Sequence, residues 1–297
     1  MLLEASPEFP IYFLKIYRYA ATLLETGVDQ PRVLEIWQWG NGRRVIRQTG
    51  VDAFRIAFSH NGEWLASAGK SPVRLWDTVS GKEHNRIHHE GFVLSLDFSA
   101  DDRYLALGLE DRSALIWDLV ENRRVARLQH PHAVDFITFS PDGKFVVTTS
   151  YARDSEPSDN TAYVWEVMSG RLVARLVHGD QVNALSFSRD GDYVATGSKD
   201  GNARLWRIPD GRELEKLKYD REVTHLALSG DGRYLATNTS WLSGEQDINV
   251  WSTSSGRQTM TVRHGDMVQH IAFTPDSKFF VSHNRSSVRI SRVLPFE

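Results

Sequence analysis

The stretch HGDQVNALSFSRDGDYVATGSKDGNARLW, from His178 to Trp206, decides the fold. Three apolar runs, VNALSFS, YVATGS and ARLW, are separated by RDGD and KDGN. The runs are too short, and too interrupted by Asp and Gly, for amphipathic helices, while their Val, Leu, Phe, Tyr and Thr content favours strands. They read as strands a, b and c, and RELEKLKY, from Arg212 to Tyr219, reads as an outer strand d.

The same order recurs along the chain. Trp37, Trp76, Trp117, Trp165, Trp206 and Trp251 close the runs LEIW, VRLW, ALIW, YVW, ARLW and INVW at separations of 39, 41, 48, 41 and 45 residues. Forty residues beyond Trp251, VRIS places Ser291 where a seventh tryptophan falls. The turn between a and b repeats as HNGE, ADDR, PDGK, RDGD, GDGR and PDSK, at Asn61, Asp102, Asp142, Asp190, Asp231 and Asp276. The turn between c and d repeats as SGK, ENR, SGR, DGR and SGR. Asp, Asn and Gly supply the tight reversals. A strand-rich period of about 40 to 45 residues is the signature of a β-propeller with one four-stranded antiparallel blade per unit. The expected fold is all-β, a seven-bladed propeller forming a single domain over 1–297. Its blades are expected at 6–49, 50–89, 90–130, 131–178, 179–219, 220–264 and 265–297 plus 1–5.

The first blade carries the weakest signal. FPIYFLKIYRYAATLL, Phe9 to Leu24, looks like a signal-peptide core, but Lys15 and Arg18 interrupt it and no basic segment precedes it. Aligning YAATLLETGVDQPRVLEIW with YLATNTSWLSGEQDINVW makes Tyr19 the start of strand b and Arg32 to Trp39 strand c, with Ile11 to Phe13 on strand a. Leu14 to Tyr17 replace the Asp-Gly turn, and a short helix there is an alternative. Around the last blade only Leu2, Leu3 and Glu4 are available as an outer strand, so a weak seam is expected, with closure by the N-terminal strand or by a longer parent chain.

The residues resemble the WD-repeat family over almost the whole chain, and phrases such as FSPDGKFVVT and SGRLVARLVHGD resemble bacterial WD repeats. Literal WD pairs occur at Trp76-Asp77 and Trp117-Asp118. The resemblance implies a buried network in each blade: a histidine between d and a, a hydroxyl on strand b, an aspartate six residues before the tryptophan, and the indole N–H. His178, Thr196, Asp200 and Trp206 fill the four places, and His130, Thr148, Asp159 and Trp165 fill them again. Blade three keeps His89, Asp111 and Trp117 but has Leu107 for the hydroxyl; blade seven keeps His264 and Ser282 but has Arg285 and Ser291. An indole N–H only donates, and leaving it unpaired in a core costs about 1 to 3 kcal/mol, so a hydroxyl relayed through His to Asp satisfies it. Burying an indole removes roughly 150 to 250 Å² from water, about 4 to 6 kcal/mol before entropy is subtracted. Repetition around the fold argues against reading each His-hydroxyl-Asp set as a catalytic triad.

Composition suits a scaffold. Of 297 residues, 41% are hydrophobic and 11% aromatic, enough for a large core. The formal charge of −3, from 35 basic and 38 acidic residues, offers no global attraction for nucleic acid or membranes, and neither is expected as a partner. Zero cysteines exclude disulfides and thiolate metal sites. No apolar run is long enough to span a membrane. The expected location is the cytoplasm.

The face carrying the a–b and c–d turns mixes Asp102, Asp142, Asp190 and Asp231 with Lys82, Arg124, Arg171, Arg212 and Arg257, and reads as a solvated, locally neutral surface. The face with the d–a and b–c loops varies far more. There blade four inserts YARDSEPSDN, Tyr151 to Asn160, and blade six SWLSGEQD, Ser240 to Asp247, and unequal insertions on one face are where binding surfaces arise. Tyr151 and Trp241 are candidate anchors, with folding of Trp241 onto its own blade as the alternative. Around the channel mouth the first half of strand a contributes Arg55, Asp135, Asn183, Thr224 and Gln269, which complete the candidate partner-binding set. Asp154, Glu156 and Asp159 lack the spacing and glycine of a calcium loop, and His84, His88 and His89 have no carboxylate set to complete a zinc site. No P-loop, GxGxxG or GxSxG occurs. No catalytic residue, cofactor or metal is expected. The leading reading is a non-catalytic scaffold or sensor module that binds a protein or peptide, within a larger multidomain protein or complex. The alternative is a propeller enzyme acting on a small molecule or glycan at the channel mouth.

Overall fold

Every regular element among the described residues is a β-strand. The computed structural model describes residues 11–13, 19–24, 32–38, 41–70, 72–152, 159–239, 246–265, 267–284 and 287–293. Repeat one holds β1 (Ile11–Phe13), β2 (Tyr19–Leu24), β3 (Arg32–Gln38) and β4 (Arg43–Val51); repeat two holds β5 (Arg55–Phe58), β6 (Trp64–Ala68), β7 (Val73–Asp77) and β8 (Glu83–Ile87). Repeat three holds β9 (Val93–Phe98), β10 (Tyr104–Leu109), β11 (Ser113–Asp118) and β12 (Arg123–Gln129), and repeat four β13 (Ala133–Phe139), β14 (Phe145–Tyr151), β15 (Thr161–Glu166) and β16 (Leu172–Val177). Repeat five holds β17 (Val182–Phe187), β18 (Tyr193–Ser198), β19 (Asn202–Arg207) and β20 (Arg212–Lys218), and repeat six β21 (Val223–Leu228), β22 (Tyr234–Thr239), β23 (Gln246–Ser252) and β24 (Gln258–His264). Repeat seven holds β25 (Val268–Phe273), β26 (Phe279–Asn284) and β27 (Val288–Arg292). Each repeat is one sheet with its strands adjacent in chain order. Seven such antiparallel sheets, one per repeat, make the chain an all-β, seven-bladed β-propeller.

Two compact units divide the chain: one runs to Phe139 and includes Val167–Gly170, the other comprises Ser140–Glu166 and Arg171 onward. In both, the tryptophan position sets which face of a sheet is buried against what. Side chains alternate along a strand, so the residues one and three before the tryptophan share a face. In the first unit Leu34 and Ile36 of repeat one pack with Ile56, Leu65 and Trp76 of repeat two. Val73 and Leu75 of repeat two pack in turn with Val93, Phe98 and Leu105 of repeat three. In the second unit Ala162 and Val164 of repeat four meet Val182, Val194 and Trp206 of repeat five. Ala203 and Leu205 meet Val223, Leu226 and Leu235 of repeat six, and Ile248 and Val250 meet Val268, Ile271 and Phe280 of repeat seven. The period in sequence is therefore a period in core packing.

The a–b turns are hydrogen-bonded devices. Ser59, Ser99, Ser140, Ser188, Ser229 and Thr274 donate their hydroxyls to Asn61, Asp101, Asp142, Asp190, Asp231 and Asp276 at 2.6–2.8 Å. The same hydroxyls accept the amides of the aromatic residues that open strand b, Trp64, Tyr104, Phe145, Tyr193, Tyr234 and Phe279, at 2.8–3.0 Å. In repeat three the acceptor is Asp101, not Asp102. Asp102 adopts φ 58° and reaches back to repeat two, accepting the amides of His60 at 2.5 Å and Asn61 at 2.8 Å. At the c–d turns the aspartates of the two literal WD pairs cap the reversal: Asp77 accepts Val79 and Ser80, and Asp118 accepts Val120 and Glu121. Glycine is required where this turn meets the preceding sheet. Gly211 has φ 65°, and a Cβ there would lie 2.7 Å from Ala174 Cβ.

Several expectations fall outside the described residues: the alternative helix at 14–17, the segment 1–5, Asp154 and Glu156 of the repeat-four insertion, Trp241, and Arg285. Among the described residues no helix is long and apolar enough to cross a membrane.

Candidate functional site

Repeat five shows how the interior polar positions are used. Trp206 donates its indole N–H to Thr196 Oγ1 at 2.7 Å, and His178 Nε2 lies 3.0 Å from the same oxygen. Asp200 is joined to His178 through a residue the sequence reading missed. Arg204, only 5% exposed, donates Nη1 to His178 Nδ1 at 2.5 Å and Nη2 to Asp200 Oδ2 at 2.8 Å. Since a guanidinium only donates, Nδ1 must accept, and the His178 proton sits on Nε2, directed at Thr196. Burial and then the Arg204 charge push the imidazole down to about 4, so it is neutral at pH 7. For Asp200 burial opposes ionisation, but Arg204 and the amides of Gly179 and Asn202 outweigh it and hold the carboxyl well below its usual range. Every polar member has a structural partner: Thr196, Arg204 and Trp206 on β18 and β19, His178 and Asp200 in the loops beside them.

Other repeats vary the theme. Trp165 donates to Thr148 Oγ1 at 2.8 Å and Trp76 to Ser67 Oγ at 2.9 Å. Asp159 accepts Ser150 and Tyr163 hydroxyls and the Thr161 amide. His130 is buried, which pushes its imidazole down to about 4. In repeat six Tyr219 stands where His178 stands in repeat five: its hydroxyl lies within hydrogen-bond reach of Thr237 Oγ1, which also accepts Trp251 at 3.3 Å. His264, at the end of β24 in repeat six, places Nε2 2.7 Å from Ser282 Oγ on β26 of repeat seven. In repeat three, with Leu107 fully buried at the hydroxyl position, the Trp117 N–H turns to Asn122 Oδ1 at 3.3 Å. A cleft lined by His88, His89, Glu90, Asp111, Arg124 and Arg127 lies there, with Arg127 paired to Asp111 at 2.9 Å.

The candidate partner residues occupy a distinct structural position. In repeat five Val182 pairs with Ser198 and Ala184 with Gly197, which leaves Asn183 as the extra residue of a β-bulge. Thr224 is the extra residue between Val223 and His225, and Gln269 between Val268 and His270. Leu94 holds the same place in repeat three. A bulge leaves one residue out of the ladder and re-aims its side chain, here at the beginning of the first strand in repeats three, five, six and seven. Asn183 and Gln269 are exposed; Thr224 is half-buried, with its hydroxyl 3.3 Å from Asn238 Oδ1. Asp135 is half-buried on β13, and Tyr151 is exposed at the end of β14.

Arg55 is displaced by one residue from this pattern. Counting back from the aromatic that ends the first strand, Phe58 in repeat two and Phe98 in repeat three, the residue equivalent to Leu94 is Phe54, which is exposed. Arg55 instead spends its Nε–H on the Leu94 carbonyl at 2.8 Å. The count back from Phe58 was available in the sequence. The preference for a polar side chain at the mouth hid it.

This geometry, one sheet per repeat with a Trp-to-hydroxyl bond in repeats two, four, five and six, agrees with comparison to known proteins. A model of the WD domain, G-beta repeat matches residues 81–118, 123–166 and 170–207. Three segments of the chain thus match the WD40 repeat. Outside the three matched segments, repeats two, six and seven keep the strand order and the a–b turn device. Jouberin of Rattus norvegicus and of Mus musculus are each 38% identical over 69 residues, 22% of this chain and 7% of theirs. Eukaryotic translation initiation factor 3 subunit I of Coccidioides immitis is 27% identical over 101 residues, 33% of this chain and 30% of its own. These relatives are eukaryotic, and the chain spans less than a third of their length.

Proposed function

We propose that this chain is a non-catalytic protein-interaction module, with its repeats acting as one domain over 1–297 and binding a protein or peptide on the face of the d–a and b–c loops. The observation that carries the reading is the bulge that repeats at the start of the first strand and turns Asn183, Thr224 and Gln269 out of their ladders. A scaffold needs its framework positions identical and its presented positions different, and this is the pattern here: the flanking Val182, Val223 and Val268 are all buried while the bulged residue changes from repeat to repeat. WD40 repeats themselves point to interaction rather than chemistry, and the relative named as a subunit of an initiation factor supports a place within a larger assembly. The bacterial character of the repeats and a cytoplasmic location belong to the same proposal. Tyr151 and Trp241 from the two insertions extend the face.

Affinity capture from the native cell, quantified for the wild type and for a chain with both Asn183→Arg and Gln269→Arg, tests the reading. Both sites are exposed and unneeded by the core, so the variant is expected to fold and to recover the partner at least about tenfold less well. Equal recovery by both baits removes this face from the function.

A further inference from the structure

The first unit carries a surface of different character at the same strand ends. Phe54 before β5 and Phe136 on β13 are exposed, and Phe92 and Leu94 at the start of β9 are half-buried. The Phe54 and Phe92 rings lie 4.8 Å apart at 57°. The Arg32 guanidinium stands over the Phe54 ring, 3.8 Å from its centroid, and donates to the Ala53 carbonyl at 3.2 Å. Arg55 donates to the carbonyls of Leu94 at 2.8 Å and Phe54 at 3.1 Å. Two cations are thus fixed by backbone carbonyls beside an exposed aromatic ledge.

We propose that this ledge receives an extended peptide of the partner through an aromatic or large aliphatic side chain that neighbours a carboxylate. The inference rests on the peptide-binding reading above and names the chemistry of the peptide. Exposed rings lose unfavourable hydration when an apolar side chain covers them, and aromatic anchors with arginine are the composition of binding hot spots. The exposed Arg55 guanidinium, already ordered by two backbone carbonyls, has little freedom left to lose, and its outer edge still presents N–H donors to a carboxylate. Rings and arginines also suit stacked bases. Asp135 on the same strand as Phe136, Glu90 in the loop entering β9, and the formal charge of −3 disfavour a polyphosphate chain and favour the peptide.

A random dodecapeptide phage library selected on the full chain identifies binders, and the three most enriched sequences, made as fluorescein-labelled peptides, are titrated by fluorescence polarisation. The enriched peptides are expected to share an apolar residue next to Asp or Glu. Their affinity is expected to fall by about tenfold for Phe54→Ser or Phe136→Ser. It is also expected to weaken with added salt for wild type more than for Arg55→Gln. Circular-dichroism melts confirm that each variant is folded; two variants on one ledge guard against the loss of either. Peptides without a carboxylate, or with undiminished affinity for both Phe variants, overturn the ledge. If such peptides are instead lost from the Asn183→Arg, Gln269→Arg chain, peptide binding survives without the ledge, whereas a library that yields no binders sinks both. A labelled ten-uridine RNA that binds more tightly than the peptides, and is lost with Phe54→Ser, assigns the ledge to single-stranded nucleic acid and overturns the proposal.

Discussion

Arg204 changes what the interior histidine of repeat five is. Without it, His178 would be expected to relay a proton toward Asp200; with it, the ring is an acceptor at Nδ1 and a donor at Nε2, and the aspartate serves the arginine. The consequence is a pH dependence of known sign. His178 and His130 are held neutral in the fold, both pushed down to about 4, while the unfolded chain binds their protons near the ordinary histidine value. Between about pH 6.5 and 4 the unfolded state therefore holds more protons, and stability present at neutral pH is lost as pH falls through that window. The urea midpoint of the full chain is expected to decline from pH 7 to pH 4, and His178→Gln, which cannot take up a proton, is expected to flatten the decline. A midpoint that is level across this range would contradict the neutral assignment. The sequence displays the four residues of the network plainly, but Arg204 reads as an ordinary charged residue in ARLW, because nothing in a strand pattern tells a solvated arginine from one folded back into its own sheet.

Turns and strands were legible because their chemistry is local. The hydroxyl, Asx residue and aromatic that lock each a–b turn lie within five residues of one another, and their spacing survives in six repeats. Where two aspartates stand side by side, at Asp101 and Asp102, the sequence offers no preference between them; the choice falls to the neighbouring repeat, whose two free amides take Asp102. Bulges escaped for a related reason, since an extra residue opposite a ladder changes no residue type and is defined only by the partner strand. Two turn glycines, Gly143 of an a–b turn and Gly211 of a c–d turn, allow a direct test of contact against conformation. Gly143 and Gly211 both have positive φ, but a Cβ meets nothing within 4 Å at Gly143 and meets Ala174 at 2.7 Å at Gly211. Gly143→Ala is expected to destabilise by about 1 to 2 kcal/mol from backbone strain alone. Gly211→Ala adds a clash and is expected to cost about 1 to 3 kcal/mol more in denaturant unfolding.

Across the repeats, equivalent positions are not equivalent in burial. Leu205, one residue before Trp206, is 4% exposed against repeat six, whereas Ile290, one residue before Ser291, is 69% exposed. Leu205→Ala is expected to destabilise by about 2 to 5 kcal/mol and Ile290→Ala to change stability by no more than about 0.5 kcal/mol, both read from denaturant unfolding of the full chain. Similar losses at the two sites would show that Ile290 is covered in solution. The number of sheets, their strand order and the identity of their turns follow from the chain's own alternation and period, because strand propensity, turn chemistry and indole spacing all act over a few residues and repeat. Which side chains end up inside or presented depended on neighbours far along the chain. Phe54 is exposed beside Arg55, Arg204 lies buried on its strand, and Ile290 is exposed where its counterparts are buried, since exposure is a property of what another strand places alongside.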